Sequence, residues 1–391
     1  MLLPHWLKAA AAAAIAAALI TNSTPAMATL IPASPVTVSM AKKATPTLKV
    51  STLKRASGTG KLYVGEKVKL TGTTSKSLYK NKVVLQRLSG KKWVSAGATS
   101  TVSKAGSFSL SAKTTASGKI SYRVSTAATK TLNGAVSRST SITVNKKSTP
   151  VLKISSISKD FGSGVIMTGD RIAIEGTASK SLAGKTLTLQ RLASGKWIDT
   201  SVNPKLTANG SFRISSISEG LGNTSYRVVS KSTTSLNAAS SNTVKAKLHQ
   251  WFNLSELNHG NRVGIIDSNS SIPMAGGGHY RHSMLGTYPN THFVSYSLGN
   301  NCARFRSTIG MYYASAPVSA GVFVVSVNSV ERARATVGFG NTKALDVDIA
   351  GAYSIKLSGG SAVMGNSPKY TGNVWGSPQV LCSARPTGTG S

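Results

Sequence analysis

The acidic side chains that could carry catalysis lie in the last third of the chain. Asp346 and Asp348 are two residues apart on a predicted strand, so their carboxylates share one face and could act as a general acid and a general base. No third acid accompanies them locally, and a solvated strand face explains them better. Neither a GxSxG nucleophile elbow nor a complete phosphate-binding loop occurs elsewhere. We therefore expect a protein that is not an enzyme.

Histidines are concentrated between residues 259 and 292, which raises the question of a metal site. They are His259, His279, His282 and His292. Zinc sites commonly use spacings such as HExxH or CxxC, and neither accompanies these residues. We expect surface or hairpin histidines, with no bound metal and no cofactor.

The sequence contains two cysteines, Cys302 and Cys382. In an oxidising compartment the simplest prediction is a single disulfide between them. The alternative is a pair of unpaired buried thiols, because free cysteine is common in protein cores.

The N-terminus resembles a secretory signal peptide over residues 1–28. Lys8 provides a positive charge, residues 9–20 are apolar, and Ala26-Met27-Ala28 reads as a cleavage site. A transmembrane anchor is the weaker alternative, because a span needs about 20 apolar residues. We expect a secreted protein without a membrane span, either free or held non-covalently at the cell surface, with residues 29–44 as a linker.

The net charge is +35 and is distributed unevenly. Residues 29–147 carry 22 Lys and Arg against one acid, Glu66, whereas residues 148–250 carry 13 against five. This positive field favours an anionic polymer as partner, with binding that weakens in salt. The alternative is that lysines only keep strand edges from pairing. No stacking or groove-reading motif predicts a specific nucleic-acid partner.

The middle of the chain is a tandem duplication with a period of 104 residues, which defines predicted domains at 45–147 and 148–249. The matched pairs are Gly72 and Gly176, Gln86 and Gln190, Trp93 and Trp197, Gly106 and Gly210, and Tyr122 and Tyr226. Apolar residues alternate in each copy, as at Val68 and Leu70, and turn residues separate the runs. The pattern predicts a two-sheet sandwich in each copy, with a closed barrel as the alternative.

The strings GTTSKSL, VVLQRL, GKKW, GSFSLS and SYRVS resemble bacterial immunoglobulin-like repeats of exported surface proteins. The resemblance implies two tandem Ig-like β-sandwiches that act as spacers or adhesion modules. Neither repeat contains a cysteine pair, so the antibody-type disulfide is absent. Trp93 and Trp197 are predicted to be core or edge residues rather than ligand platforms.

At residue 250 the repeat pattern stops and lysine becomes rare. The strings GGGHYRHSMLGT (276–287), YSLG (296–299), RFRSTIG (304–310), LDVDI (345–349) and WGSPQVLC (375–382) follow in order. They are similar to the NPCBM family of carbohydrate-binding modules, which has a galactose-binding-like fold. The resemblance implies an all-β chain that ends in a jelly-roll β-sandwich over 250–385, followed by a flexible tail at 386–391.

The segment departs from the NPCBM pattern at several positions where the family has acids or histidine. Met311 and Ser377 stand at acidic positions, and Tyr288 stands at a histidine position. The loss of these acids argues against a bound calcium ion, which prefers carboxylate oxygens. Aromatic side chains could still stack on a sugar, and the candidates are Trp375, Tyr288, Tyr280, Tyr312 and Tyr313. The alternative is that they fill the sandwich core.

Together these features predict a secreted, non-catalytic carbohydrate- or cell-wall-binding protein whose Ig-like repeats act as basic spacers. The expected partner is a glycan or an anionic cell-wall polymer. A second hypothesis is a structural cell-envelope or adhesion protein whose C-terminal domain binds protein or has lost its sugar ligand.

Overall fold

A computed structural model of the protein describes residues 42–268, 271–287, 291–363 and 372–389. In these ranges the regular structure consists of β-strands and three short 3₁₀ turns, Lys76–Leu78, Lys180–Leu182 and Leu254–Glu256. The predicted all-β class is confirmed. The described ranges contain no helix long and apolar enough to span a membrane. The predicted signal peptide and most of the predicted linker lie outside them.

The first repeat contains nine strands in two separate sheets. They are β1 (Leu48–Arg55), β2 (Leu62–Tyr63), β3 (Lys67–Thr74), β4 (Lys82–Ser89), β5 (Lys92–Thr101), β6 (Ser107–Lys113), β7 (Gly118–Thr126), β8 (Ala135–Val136) and β9 (Thr140–Asn145). One sheet has the order β1-β3-β6, and the other has the order β2-β9-β7-β4-β5 with β8 beside β7. Alternating residues such as Val68, Leu70 and Leu110 point inward and are buried. The predicted sandwich, rather than a barrel, is confirmed.

The second repeat has the same plan in nine further strands. They are β10 (Leu152–Lys159), β11 (Ile166–Met167), β12 (Arg171–Ala178), β13 (Leu187–Ala193), β14 (Lys196–Asp199), β15 (Ser211–Ile217), β16 (Gly222–Ser230), β17 (Ala239–Ser240) and β18 (Val244–Asn253). The duplication extends to single contacts. Lys43 Nζ donates to the Thr129 carbonyl at 3.0 Å, and Lys147 Nζ donates to the Thr233 carbonyl at 2.6 Å.

Strand β18 joins the second repeat to the C-terminal domain without a linker. Its first half pairs with β16, from Val244 to Leu248, and its second half pairs with the last strand of the chain, from Gln250 to Asn253. The boundary predicted at residue 249 therefore falls inside a continuous strand. Because both halves are held in hydrogen-bonded ladders, the two domains share one sheet.

The described part of the C-terminal domain contains the remaining twelve strands. They are β19 (Arg262–Val263), β20 (Ile265–Ser268), β21 (Ile272–Pro273), β22 (His279–Tyr280), β23 (Ser283–Gly286), β24 (His292–Ser297), β25 (Cys302–Met311), β26 (Ala320–Val327), β27 (Val330–Gly338), β28 (Thr342–Asp348), β29 (Ser354–Val363) and β30 (Asn373–Cys382). One sheet has the order β19-β24-β29-β26-β27. It packs against a second sheet in which β25 lies between β28 and β30. On the other side of β30, β23 pairs with its first half and β18 with its second half. This arrangement confirms the predicted sandwich.

A disulfide between Cys302 and Cys382 links β25 to β30 within this domain, as predicted. The two residues lie opposite each other in the ladder, and both are part of the buried core. The last described residues of the chain pair with β24. Gly388 and Ser297 exchange backbone hydrogen bonds of 3.0 and 3.3 Å, so this part of the predicted flexible tail is held against the sandwich.

Candidate functional site

A cleft of about 390 Å³ lies on the outer face of β25, β28 and β30. Its polar and aromatic lining residues include Tyr280, Arg306, Thr308, Asp346, Ser377 and Gln379. This face is turned away from the core because strand residues alternate: Phe305 and Ile309 are buried between the sheets, whereas Arg306 is exposed.

A β-bulge shapes the floor of the cleft. The register of β25 against β30 shifts between Arg306, which pairs with Gln379, and Thr308, which pairs with Gly376. The additional residue is therefore in β30, where Ser377 and Pro378 lie opposite Ser307. The Ser307 hydroxyl donates to the Gly376 carbonyl at 3.1 Å, which holds the two strands together at this point. Ser377, which follows, has a φ of +44°, a conformation that is uncommon for a non-glycine residue. The bulge, which includes Ser377, bends β30 beside the cleft.

Tyr280 is positioned by the short hairpin of β21 and β22, which lies against β30. A Cβ atom at Gly376 would lie 2.7 Å from Tyr280 Cγ, so the ring packs directly on the glycine backbone. Gly278, with a φ of +90°, lies at the other edge of the ring. The Ser377 hydroxyl donates to the Arg281 carbonyl at 2.8 Å and ties the chain after the hairpin to β30. Tyr280 is therefore held, half-buried, at the cleft.

Arg306 forms the opposite, polar side of the cleft. Its Nε donates to Gln379 Oε1 at 2.8 Å, and its Cζ lies 4.0 Å from the centre of the Trp251 ring. Gln379 in turn donates to Asn253 Oδ1 at 2.6 Å. Stacking on an indole ring together with a bonded Nε fixes the plane of the guanidinium group. Among the described residues its two terminal amino groups have no hydrogen-bond acceptor, so they are available to a ligand.

Asp346, the one carboxylate among the described residues of the cleft, is neutralised by a neighbouring arginine. Arg304 donates from Nε and Nη2 to the two oxygens of Asp346, at 2.9 and 2.7 Å. This bidentate contact raises the pKa of Arg304. Asp348 accepts a hydrogen bond from the Ala350 backbone at 2.9 Å and lies outside the cleft. Both aspartates are exposed on the outer face of β28, and Arg304 holds one of them in an ion pair.

The arginine stacked on tryptophan is not particular to the cleft. The same arrangement occurs at Trp93, Gln86 and Arg123 and again at Trp197, Gln190 and Arg227, with Nε to Oε1 distances of 2.8 and 2.7 Å. In each repeat the tryptophan lies on an edge strand, β5 or β14, as predicted. The stack is thus a general device for covering the outer face of a sheet. The C-terminal copy differs because a cleft adjoins it and because Arg306 is exposed.

The five predicted ligand-binding aromatics have different positions. Tyr280 lines the cleft, and Tyr312 packs on the same hairpin through a small core with Ile272 and Val374. Tyr313 is 55% exposed, and its ring centre lies 4.8 Å from that of Tyr312. Burial raises the pKa of Tyr312, and the adjoining Tyr313 acts in the same direction.

Trp375 was predicted to stack on a sugar, with a place in the sandwich core as the alternative, and the structure shows the core position. Its side chain is completely buried, with edge-on contacts to Phe305 and Phe323 at centre distances of 6.3 and 5.2 Å. The reason is its place in β30, a strand paired on both sides, where Trp375 faces the opposing sheet. Tyr288, another of the predicted sugar-stacking residues, lies outside the described residues.

The predicted site omitted Trp251, Arg306 and Gln379. These residues come from three strands far apart in the sequence, so no local spacing predicts them. The duplicated Gln86/Gln190 and Trp93/Trp197 pairs show the same residue types. The repeats therefore show which residue types form the stack, but the sequence does not show that β18, β25 and β30 are adjacent.

The histidines do not assemble into a metal site within the described ranges. His282 Nδ1 lies 3.2 Å from Glu256 Oε1, His259 contacts the Gly260 carbonyl at 2.9 Å, and His292 is buried. The described residues contain no group of three or more His, Cys, Asp or Glu arranged to hold a metal ion.

No family model matches the sequence, so the resemblance to NPCBM modules stays a prediction. No curated protein matches it either.

Several solved structures show partial similarity. A CBM51 module of a Clostridium perfringens GH95 protein, solved with methyl-galactose, is 18% identical, with 34% of this chain and 99% of that chain covered and a TM-score of 0.29. The CBM51-2 and INT domains of C. perfringens ZmpB are 15% identical, and this chain spans only 38% of their length, with 42% of its own residues covered and a TM-score of 0.30. A calcium-stabilised ice-binding adhesin of an Antarctic bacterium is 13% identical, with 83% and 74% covered and a TM-score of 0.32. Identities and scores this low assign no family to the chain.

Proposed function

We propose that the protein is a non-catalytic glycan-binding protein of the cell exterior and that the cleft beside Tyr280 is its sugar site. The observation that carries this proposal is the joint placement of a half-buried tyrosine ring and a fixed guanidinium group on one solvent-facing cleft. The two basic repeats act as spacers that hold the C-terminal domain away from its point of attachment.

The chemistry of the cleft suits a polyhydroxylated ligand. An aromatic ring offers an apolar face for the C–H groups of a sugar ring, and fixed donors and acceptors around it orient the hydroxyls. Arg306, Gln379, Ser377 and Thr308 supply these polar groups. The cleft volume of about 390 Å³ lies in the range of about 300–1,000 Å³ that is typical of small-ligand sites.

The charge of the cleft favours a glycan with acceptor groups over a basic ligand. Arg304 offsets the charge of Asp346, whereas no acid pairs with Arg306 among the described residues. The cleft therefore keeps one positive charge. A glycan with a carboxylate or a phosphate substituent would bind to this charge better than its neutral analogue.

The proposal includes export, which the signal-peptide pattern supports. It also includes an NPCBM-like module, which the ordered strings of residues 276–382 support. Export would expose the cleft to cell-wall and surface glycans. N-terminal sequencing of secreted protein should return Thr29 as the first residue, and recovery of Met1 would contradict export.

The cleft is tested by Tyr280→Ala in the full chain. Strand β18 belongs to both domains, so cutting the chain there would remove a strand from one of them. Wild-type protein is first screened on a glycan array and on cell-wall preparations. We expect Tyr280→Ala to bind the selected glycan about tenfold more weakly, since a stacked aromatic contributes about 1 kcal/mol or more. The matched control is Tyr353→Ala, which removes a 49% exposed tyrosine of the same domain outside the cleft. Equal binding by both variants would place the site elsewhere.

A structural or adhesion role is the second candidate, and the continuous strand β18 favours it. A strand shared by two sandwiches resists bending at their junction, as a stiff cell-envelope or adhesion protein requires. If the wild-type chain binds no glycan and no wall preparation, this role replaces the sugar-binding proposal.

A further inference from the structure

Four lysines lie together on the outer face of the first repeat. Lys54 on β1 is directly opposite Lys69 on β3, and Lys67 on β3 is directly opposite Lys113 on β6. All four side chains are exposed. Residues 67 and 69 are two apart on one strand, so both pairs are on the same face. We refer to these four residues as the lysine tetrad.

The tetrad concentrates positive charge without a counter-charge. Directly opposite residues in an antiparallel pair have Cβ atoms about 5 Å apart, and residues two apart on a strand are about 7 Å apart. The one acid of the repeat, Glu66, is already paired with Arg55. No ion pair joins a tetrad lysine to any other described residue. Like charges directly opposite each other destabilise a sheet, so the arrangement has a cost to the fold.

Protection of strand edges can account for Lys54 and Lys113, which lie on the edge strands β1 and β6, but not for the other two lysines. Lysine on an edge strand prevents edge-to-edge pairing. Lys67 and Lys69, however, lie on β3, which is the central strand of the sheet β1-β3-β6. A lysine there protects no edge.

The second repeat provides an internal comparison on the same backbone. The positions of Lys54, Lys67, Lys69 and Lys113 are occupied by Ser158, Arg171, Ala173 and Ile217. The same face also carries Arg213, which is paired with Asp160 at 2.6 Å and with Glu175. The outer face of this sheet thus carries the Arg213 ion pairs in the second repeat and four unpaired lysines in the first repeat. The same fold forms with either set of residues, so the fold does not require the tetrad.

We propose that the lysine tetrad is a binding site for a linear polyanion whose charged groups recur about every 5–7 Å, the spacing of the lysines in the sheet. Hydroxyl side chains adjoin the tetrad. Thr52 and Thr71 share a hydrogen bond of 2.6 Å and the Ser111 hydroxyl donates to the Val68 carbonyl at 3.1 Å, so Ser109 and one hydroxyl of the threonine pair keep a proton to donate to the polymer. Neither β1, β3 nor β6 has a large exposed apolar side chain that would insert into a membrane. The repeat is then a second binding element, independent of the cleft, and not only a spacer.

The test compares two triple variants of equal net charge. The first is Lys54→Ser with Lys69→Ser and Lys113→Ser, on the tetrad. The control is Lys82→Ser with Lys104→Ser and Lys119→Ser, three exposed lysines of the same repeat that lie off the sheet β1-β3-β6. Binding of labelled linear polyphosphate and polygalacturonate is measured by fluorescence anisotropy at several salt concentrations, and the two polymers distinguish phosphate from carboxylate as the anion.

We expect the tetrad variant to bind about tenfold more weakly and the control to stay within about twofold of wild type. The slope of log affinity against log salt should fall by about one for each tetrad lysine removed. Equal weakening of both variants would show that net charge alone is responsible and would overturn the proposal. Absence of polymer binding with retained binding to anionic phospholipid vesicles would also overturn it. Polyphosphate has no sugar ring that could stack on Tyr280, so Tyr280→Ala should leave polyphosphate binding unchanged, and this proposal and the cleft can fail separately.

Discussion

Gly376→Ala is the most direct test of how the cleft is built, because a single methyl group reaches the ring of Tyr280. The added Cβ would lie 2.7 Å from Tyr280 Cγ, 2.8 Å from Met274 Cε and 2.9 Å from Tyr280 Cδ2. Carbon atoms normally pack about 3.5–4.0 Å apart, so the ring must move by about 1 Å. The backbone φ of Gly376 is not in the left-handed region, so the effect is steric and does not come from backbone strain.

The magnitude follows from overpacking of an otherwise well-packed contact. Such substitutions destabilise proteins by about 1–3 kcal/mol. For a domain of this size the change corresponds to a fall in melting temperature of roughly 3–9 °C. Displacement of Tyr280 should also weaken binding at the cleft, because the ring is the apolar part of the proposed sugar site.

The assay is differential scanning calorimetry of the full chain, together with binding of the selected glycan. Gly338→Ala is the matched control, since a Cβ there would have Asn341 Nδ2 at 4.0 Å as its nearest neighbour. It should change stability by less than about 0.5 kcal/mol. The double variant Gly376→Ala with Tyr280→Ala should be more stable than the sum of the single changes predicts, because the clash is removed.

Two results would refute this reasoning. If Gly376→Ala melts at the wild-type temperature, the ring does not pack on the glycine. If the double variant is additive, the destabilisation comes from contacts other than Tyr280.

Three further predictions concern the core, the disulfide and the domain junction. In calorimetry, Trp375→Ala should destabilise the C-terminal domain by about 3–5 kcal/mol, whereas Tyr313→Ala should change its stability by less than about 0.5 kcal/mol. A larger loss of stability for Tyr313→Ala than for Trp375→Ala would place Trp375 at the surface. Replacement of Cys302 and Cys382 by alanine removes a cross-link between residues 80 positions apart, and the free energy of unfolding measured in urea should fall by about 4–5 kcal/mol on the chain-entropy account. Free thiols in non-reduced wild-type protein would contradict the disulfide. Burial lowers the pKa of His249 on β18, so below about pH 6.5 the unfolded chain binds a proton that the folded chain does not, and stability falls as the pH decreases. His249→Gln should reduce this pH dependence of the melting temperature, and an unchanged dependence would assign it to other groups.

Features with a local period could be predicted well from the sequence. Alternation at Val68, Leu70 and their duplicates at Ile172 and Ile174 identified buried strand faces, because side chains on a strand alternate between two sides. The duplication itself implied that both copies have one fold. The disulfide between Cys302 and Cys382 was the simplest prediction from composition, because the sequence contains two cysteines.

No local pattern in the sequence shows where a strand lies within its sheet. Trp375 lies in a string that alternates in the same way whether its side chain faces the core or solvent. Its burial depends on the strands that pair with β30 on both sides and on the sheet that covers it. The same limit applies to Trp251, Arg306 and Gln379, which meet only because β18, β30 and β25 are neighbours.

The lysine tetrad shows where sequence and tertiary structure divide. The excess of lysine in residues 29–147 and the predicted attraction to polyanions follow from the sequence, because net charge does not depend on the fold. The pairing of Lys54 with Lys69 and of Lys67 with Lys113 depends on the register of three strands. Register is set by packing of the inner face and by the turns between strands, and both are properties of the folded sheet. The sequence alone therefore determined the strands, the duplication and the sign of the charge, and the tertiary structure decided which side chains share a surface.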